Sequence, residues 1–83
     1  MYDWPVPTVL DTDGFRFFFF SNEGNEPAHI HIERGDGHAK FWLAPLELAN
    51  SSGMKAQELA KAHRLAKENL KLLVERWHAR PRP

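Results

Sequence analysis

Two histidines stand at alternate positions between isoleucines in the segment EPAHIHIE, residues 26–33. Side chains two residues apart in a strand point to the same side, so His29 and His31 are expected to share one face. Imidazole binds metal ions, exchanges protons near neutral pH and makes hydrogen bonds. The pair is therefore compatible with a metal site, an acid–base pair, a nucleic-acid contact or an ordinary surface position.

A metal site would use both histidines, with His38 or Glu33 completing a set of three ligands. Two histidines at a spacing of two are a weak signal, because no further histidine or carboxylate is held nearby by its spacing in the sequence. The chain also has no cysteine, which excludes a thiolate site and a disulfide framework. We therefore predict no metal ligands and no cofactor.

Acid–base chemistry is the second hypothesis, in which His29 and His31 supply the base and the acid for cleavage of an RNA backbone. Arg16, on the strand expected to pair with the histidine strand, would stabilise the charged transition state. Lys40 is a second candidate cation. An enzyme of this kind would be a metal-independent ribonuclease, and whether the chain is an enzyme at all is open at this point.

Binding without chemistry is the third hypothesis, with the histidines as hydrogen-bonding groups at an interface with nucleic acid or protein. Other catalytic templates are missing from the sequence, which has no Gly-rich phosphate loop between a strand and a helix and no nucleophile elbow.

The elements that would position these residues are an antiparallel sheet and a helix. The stretch PTVL, the turn DTDG and the run FRFFFF predict a β-hairpin. AHIHIER (28–34), the turn GDG and HAKFWLA (38–44) predict two further strands. PLELA (45–49) fits either a short strand or a helical turn, and NSSG (50–53) offers residues that start helices.

From Met54 to Ala79 the sequence predicts a single helix with a possible bend near Glu68 and Asn69. Its apolar stripe recurs at steps of three and four residues and comprises Leu59, Ala62, Ala66, Leu70, Leu73 and Trp77. The predicted fold is therefore an α+β domain, with an antiparallel sheet of three to four strands and one long C-terminal helix packed on one face. Within this single domain of 83 residues, 1–6 form an arm, 7–49 the sheet region, 54–79 the helix and 80–83 a tail.

Alternation along the predicted strands divides the sheet into two faces. One face is apolar and would be covered by the helix. The other face, which we call the histidine face, combines aromatic and basic side chains that suit stacking on bases and neutralising phosphates. Its members are Arg16, Phe18, Phe20, His29, His31, His38, Lys40 and Trp42.

Charge is unevenly distributed along the chain although the formal net charge is zero. Residues 1–54 hold three Lys/Arg and eight Asp/Glu, whereas residues 55–83 hold eight and three. The basic C-terminal part is typical of a solvated helix, or of a surface for an acidic partner. The small core favours a partner chain or a homodimer. No segment has membrane-spanning length or the features of a signal peptide, so we expect a cytoplasmic protein without membrane contact.

The motifs SNEGNEPAHIHI and AKFWL, with a helix containing ELAKAHRLAKENLKLLVERWH, resemble the bacterial domain-of-unknown-function family 4160. The likeness runs from Pro7 to about His78. The motif residues that it carries over are Arg16, Ser21, Pro27, His29, His31, Lys40 and Trp42. Most of them lie on or beside the histidine face.

This resemblance implies a small bacterial or phage-borne protein of toxin–antitoxin type, often encoded beside a partner of family 2442. It implies a toxin-like role neutralised by an antitoxin-like partner, without an established reaction. The expected function is therefore action on RNA or the translation machinery through the histidine face. His29, His31 and Arg16 are the candidate catalytic residues. Phe18, Phe20, Ser21, His38, Lys40 and Trp42 are the candidate binding residues. The alternative is a non-catalytic protein-binding module, such as a phage-encoded inhibitor or an accessory subunit, that uses the same face.

Overall fold

A five-stranded antiparallel sheet with its strands in chain order carries two consecutive helices in the computed structural model, which describes residues 8–20 and 26–79. The strands are β1 (Thr8–Thr12), β2 (Phe15–Phe18), β3 (His29–Arg34), β4 (Gly37–Leu43) and β5 (Leu46–Ser52), and the helices are α1 (Ala56–Glu68) and α2 (Leu70–Ala79). The predicted α+β class is confirmed. The predicted number of strands and the single helix are wrong.

The β1–β2 hairpin forms where the sequence places Asp13 and Gly14 between two extended runs. Both residues have positive φ angles, 54° and 83°. This left-handed backbone matches the twist of paired strands, and aspartate and glycine adopt it most readily. The predicted hairpin is confirmed, and it pairs Arg16 with Asp11 in β1.

The fifth strand, β5, uses the segment that the sequence left undecided and also most of NSSG. Leu46 pairs with Leu43, Leu48 with Phe41, and Asn50 to Ser52 continue along β4. The backbone groups of β4 on this side need partners, and this requirement outweighs the helix-starting tendency of the short polar residues. NSSG is therefore not the start of the helix.

The helix begins instead at Ala56, with Lys55 as the residue that caps it. The backbone N–H of Lys55 donates to the Glu58 carboxylate (Oε1) at 2.8 Å, which gives one of the unpaired amides at this end a partner.

The predicted single helix over 54–79 is interrupted at Asn69, between α1 and α2. The Asn69 side-chain amide donates to the carbonyl of Leu65 at 2.8 Å, where the Asn69 backbone N–H also donates at 3.1 Å. A side chain that competes for the carbonyl of the preceding turn bends a helix. The N–H of Leu73 still donates to the Asn69 carbonyl at 3.0 Å, so hydrogen bonding resumes directly beyond the bend.

The core lies between the apolar face of the sheet and the predicted stripe of the helices. Phe17, Ile30, Ile32, Ala39 and Phe41 are buried on the sheet side. From the helices, four members of the predicted stripe are buried and the other two, Leu59 and Leu70, pack against them as half-buried residues. The buried four are Ala62, Ala66, Leu73 and Trp77.

Contacts along the helices fix their course over the sheet. Lys61 (Nζ) lies 4.0 Å from the carboxylate of Asp13 in the first turn, while the His63 ring lies 5.8 Å from the ring of Phe41 in β4. One side of α1 therefore faces the first hairpin and the other faces β4. Near its end, α2 places Trp77 5.5 Å from the Phe19 ring.

Candidate functional site

The strand register brings the predicted histidine face together. Phe18, His31 and Lys40 are aligned across β2, β3 and β4, and His29 is aligned with Trp42. Phe20 follows β2, and its ring lies 4.5 Å from the His31 ring. All eight residues assigned to the face by alternation therefore lie on one side of the sheet, whereas Ser21 lies outside the described residues.

A row of stacked groups crosses this face from β2 to β4. The Arg16 guanidinium lies 4.4 Å from the centre of the Phe18 ring, which stacks on the His31 ring at 5.6 Å. His31 in turn stacks on His38, with 3.2 Å between His31 Nδ1 and His38 Nε2. One of these nitrogens donates and the other accepts, so a single hydrogen bond joins the two imidazoles.

His29 is fully buried at the start of β3. Its Nδ1 lies 2.9 Å from the Pro27 carbonyl oxygen, which only accepts, so this nitrogen carries a proton. The His29 ring contacts Trp42 at 5.7 Å and Trp77 of α2 at 4.8 Å. His29 therefore joins the sheet to the end of the second helix and is closed to a substrate in this conformation.

Accessibility differs among the other imidazoles of the face. His31 is 6% exposed beneath Phe20, while His38 is half-buried. Of the three histidines, His38 is the one that offers surface to a ligand.

Each cation of the face is paired with a carboxylate. Arg16 Nη1 donates to Glu33 Oε1 at 2.8 Å, and its Nε donates to the Thr8 hydroxyl at 2.9 Å. Lys40 Nζ donates to Glu26 Oε1 at 2.6 Å. The two positive charges that would neutralise phosphates are thus compensated within the chain.

The pKa of Glu26 is lowered from its ordinary value of 4.5, chiefly by the hydrogen bond from Lys40. The charges of Lys40, His29 and His31 lower it further, while partial loss of water opposes the shift. The Glu26 carboxylate therefore stays ionised next to the histidines well below neutral pH.

The face as a whole has more carboxylates than permanent cations. Asp11 is aligned with Arg16, and Glu47 is aligned with Trp42, so both lie on the same side as the histidines. With Glu26 and Glu33 they make four carboxylates against Arg16 and Lys40 among the residues that the structure describes. With neutral imidazoles the face is acidic, contrary to the expectation of a surface suited to phosphates.

Phe20 is the exposed apolar residue of the face, at 43% of its possible surface. It packs edge-on against Phe18 with ring centres 5.3 Å apart, so its position is held by its neighbours. An exposed aromatic ring among partly buried rings and ion pairs is typical of a contact surface for another macromolecule.

Glu26 and Trp77 are members of the site that the sequence did not predict. Glu26 belongs to a polar loop in its composition, and no periodicity connects it with Lys40. Trp77 is expected from the helical stripe to be buried, but the stripe does not indicate that it reaches a histidine on the far side of the sheet.

The described part of the chain was compared with the requirements of a metal site and of a membrane-spanning helix. Within residues 8–20 and 26–79, no three or more His, Asp or Glu side chains converge in a way that could hold a metal ion. Neither described helix has the length and apolar character needed to cross a bilayer.

Comparison with known proteins gives one match. The model of the family described as Domain of unknown function (DUF4160) matches residues 14–78, which include both the histidine strand and the helices. Neither a curated protein nor a solved structure was found to match the chain.

Proposed function

We propose that this chain, which belongs to the DUF4160 family, is a small toxin–antitoxin-type protein that acts by binding a partner protein through its histidine face. The observation that carries this proposal is the pairing of Arg16 with Glu33 and of Lys40 with Glu26. The pairing removes the free positive charge that binding to nucleic acid requires.

Electrostatics favours a protein over RNA as the ligand. Affinity for a nucleic acid backbone comes mainly from Lys and Arg that neutralise phosphates and release counterions. On this face, RNA would have to displace Glu26 and Glu33 from their partners and would meet Asp11 and Glu47 as well. A protein with basic side chains at its rim meets no such repulsion.

The exposed ring of Phe20 supplies the apolar centre of such an interface. Interfaces between proteins bury a few aromatic anchors in the middle and keep ion pairs and polar groups around them. Phe20 packs against His31 and Phe18, on the face that also holds the ion pair of Lys40 with Glu26. The partner is therefore a protein that has an apolar pocket with a basic rim.

A ribonuclease without a metal ion is the second candidate, and the hydrogen bond between His31 and His38 favours it. Two imidazoles in contact can hold and release one proton, as general acid–base catalysis requires. In this version His38 is the group that reaches RNA, with Arg16 about 10 Å away across two strand spacings. The originally assigned pair of His29 and His31 is largely enclosed.

The test combines expression in a bacterium with binding of the purified protein to the product of the neighbouring reading frame. We expect induced expression to slow growth, the neighbouring product to restore it and the two proteins to coelute. Phe20→Glu places a charge in the apolar centre and should weaken the complex at least roughly thirtyfold, as loss of a central anchor does. Gln57→Glu introduces the same charge at an exposed position of α1 and should leave binding unchanged.

The same preparation decides between the two candidates. Incubation with RNA should leave the RNA intact under our proposal. Cleavage that is lost in His38→Ala would instead establish the ribonuclease. A complex that tolerates Phe20→Glu would remove the histidine face from partner binding.

A further inference from the structure

The outer edge of β5 is a surface distinct from the histidine face. One side chain of this strand faces the helix side of the sheet. β5 is the last strand in the sheet order and, among the described residues, is paired on one side alone, with β4. Leu48 is aligned with the buried Phe41, so it points to the helix side of the sheet, yet 45% of its surface is exposed. The helices therefore leave this edge of the apolar face uncovered.

Basic residues follow the side of α1 that lies over β4 and continue at the start of α2. The His63 ring contacts Phe41 of β4, and Phe41 is aligned with Leu48, so this side of α1 lies next to the position of β5. Steps of one, three and four residues place Arg64, Lys67 and Lys71 on or next to the same side of the helices. We call His63, Arg64, Lys67 and Lys71 the basic flank.

The permanent cations of the basic flank, Arg64, Lys67 and Lys71, are exposed and differ in their pairing from those of the histidine face. All four side chains are exposed. Among the described residues, Arg64, Lys67 and Lys71 have no ion-pair partner, whereas Lys61 on the other side of α1 lies beside Asp13. The same steps place Glu68 and Glu75 near these cations, so this side of the helices has three permanent cations against two carboxylates. The molecule thus combines an open strand edge, an uncovered leucine and a net positive helical side.

We propose that the β5 edge and the basic flank together bind an acidic, extended segment of a partner protein. The segment would add to β5 as a sixth strand through backbone hydrogen bonds. Its side chains on the helix side would alternate in position with those on the other side. Those near Leu48 would be apolar, and carboxylates beyond them would reach Lys67 and Lys71.

Charge excludes a second copy of this chain as the favoured occupant. Two β5 edges related by a two-fold axis would form one continuous sheet with both pairs of helices on the same side. The two basic flanks would then face each other across the new interface, and like charges in opposition are destabilising. The carboxylates of an acidic segment from a different protein would instead pair with the cations of the basic flank.

Nucleic acid explains the basic flank but not the strand edge. Phosphates would neutralise Lys67 and Lys71, but a phosphate backbone has no alternating N–H and C=O groups to pair with β5, and it makes no use of Leu48. The combination of features therefore favours a peptide.

The test uses the 83-residue chain, labelled with ¹⁵N for NMR, and the peptide Val-Ser-Val-Ser-Glu-Ser-Glu, in which the alternate positions that share one side of a strand are two Val followed by two Glu. We expect amide shifts to change over residues 46–52 and 63–71 and to saturate on titration. Leu48→Lys, which puts a charge on the open edge, and the double variant Lys67→Glu with Lys71→Glu should each weaken binding roughly tenfold. Arg76→Glu makes the same kind of charge change at another exposed helical position and should bind like the unchanged protein.

Three results would contradict the proposal. A peptide with Lys in place of both Glu residues could bind as tightly, which would show that the flank contributes nothing. Polyaspartate or an RNA oligonucleotide could bind as tightly, with an affinity that Leu48→Lys does not change. The flank would then be a general polyanion site. The free protein could be a dimer through β5, and the edge would then be occupied by a second copy of the chain. The amide spectra of the variants report in each case whether the fold is intact. Because Phe20 has no part in this site, failure here leaves the function proposed for the histidine face untouched.

Discussion

Individual carboxylates decide what the histidine face presents to a ligand. Glu33 compensates Arg16 at 2.8 Å and Glu26 compensates Lys40 at 2.6 Å, so the groups that look most suited to phosphates are already occupied. Both pairs are partly exposed, so each adds little to stability. Their effect is on recognition, because they leave apolar contact and hydrogen bonding as the means by which the face binds.

The titration of Glu26 tests this pairing at the level of a single residue. Its pKa should lie below 4.5, and Lys40→Met should bring it back towards that value because the main cause of the shift is removed. A lowered folded-state pKa stabilises the fold above the unfolded value, and this contribution is lost as the pH falls through the folded value. The measurement is an NMR titration of the Glu26 carboxyl carbon in the unchanged protein and in Lys40→Met. An unchanged midpoint in Lys40→Met would show that the pair does not form in solution.

At the scale of elements, two alanines determine how closely the helices approach the sheet. Ala62 and Ala66 are fully buried and lie one turn apart on the stripe that faces the strands. Small side chains at both positions let the backbone of α1 come close to the large apolar residues below, such as Phe41 and Ile30. The bend at Asn69 then turns α2 so that Leu73 and Trp77 continue the contact.

Ala66→Leu tests this close approach, with Ala60→Leu as its control. Added methyl groups in a filled core force side chains or backbone to move, at a cost of about 1–3 kcal/mol. Ala60 is exposed, and the same exchange there should alter the free energy of unfolding by less than roughly 0.5 kcal/mol. Urea denaturation of both variants gives the comparison. Equal stabilities for the two would mean that α1 is not packed tightly on the sheet.

At the scale of the whole molecule, charge is divided between the two layers. The part of the chain that forms the sheet is acidic and the helical part is basic, although Lys/Arg and Asp/Glu are equal in number at 11 each. The contacts of Lys61 with Asp13 and of Arg34 with Glu58 join the two layers. A molecule that has no net charge but has one acidic side and one basic side attracts other copies of itself when the salt concentration is low.

Light scattering at neutral pH tests this polarity. At about 0.01 M salt, where the screening length is roughly 30 Å, we expect a negative second virial coefficient, and at about 0.15 M, where it is roughly 8 Å, a value nearer zero. The double variant Glu47→Lys with Lys71→Glu keeps the net charge and reduces the asymmetry, so its salt dependence should be weaker. If the virial coefficient of the unchanged protein does not vary with the salt concentration, the division of charge does not contribute to attraction between molecules.

The pattern of residue types predicts which side chains share a face and which helical residues meet the core. Alternation of side chains along a strand and the 3.6-residue helical repeat are properties of the backbone, so His29, His31 and Trp42 were placed together without knowledge of the fold. The fold was needed to establish β5 as a strand, to show that the helix is interrupted at Asn69, near which the sequence allowed a bend, and to pair Lys40 with Glu26. Each of these depends on groups that are distant in the chain or that compete locally for the same hydrogen bond. The periodicity of a sequence does not indicate which of the competing groups forms the bond.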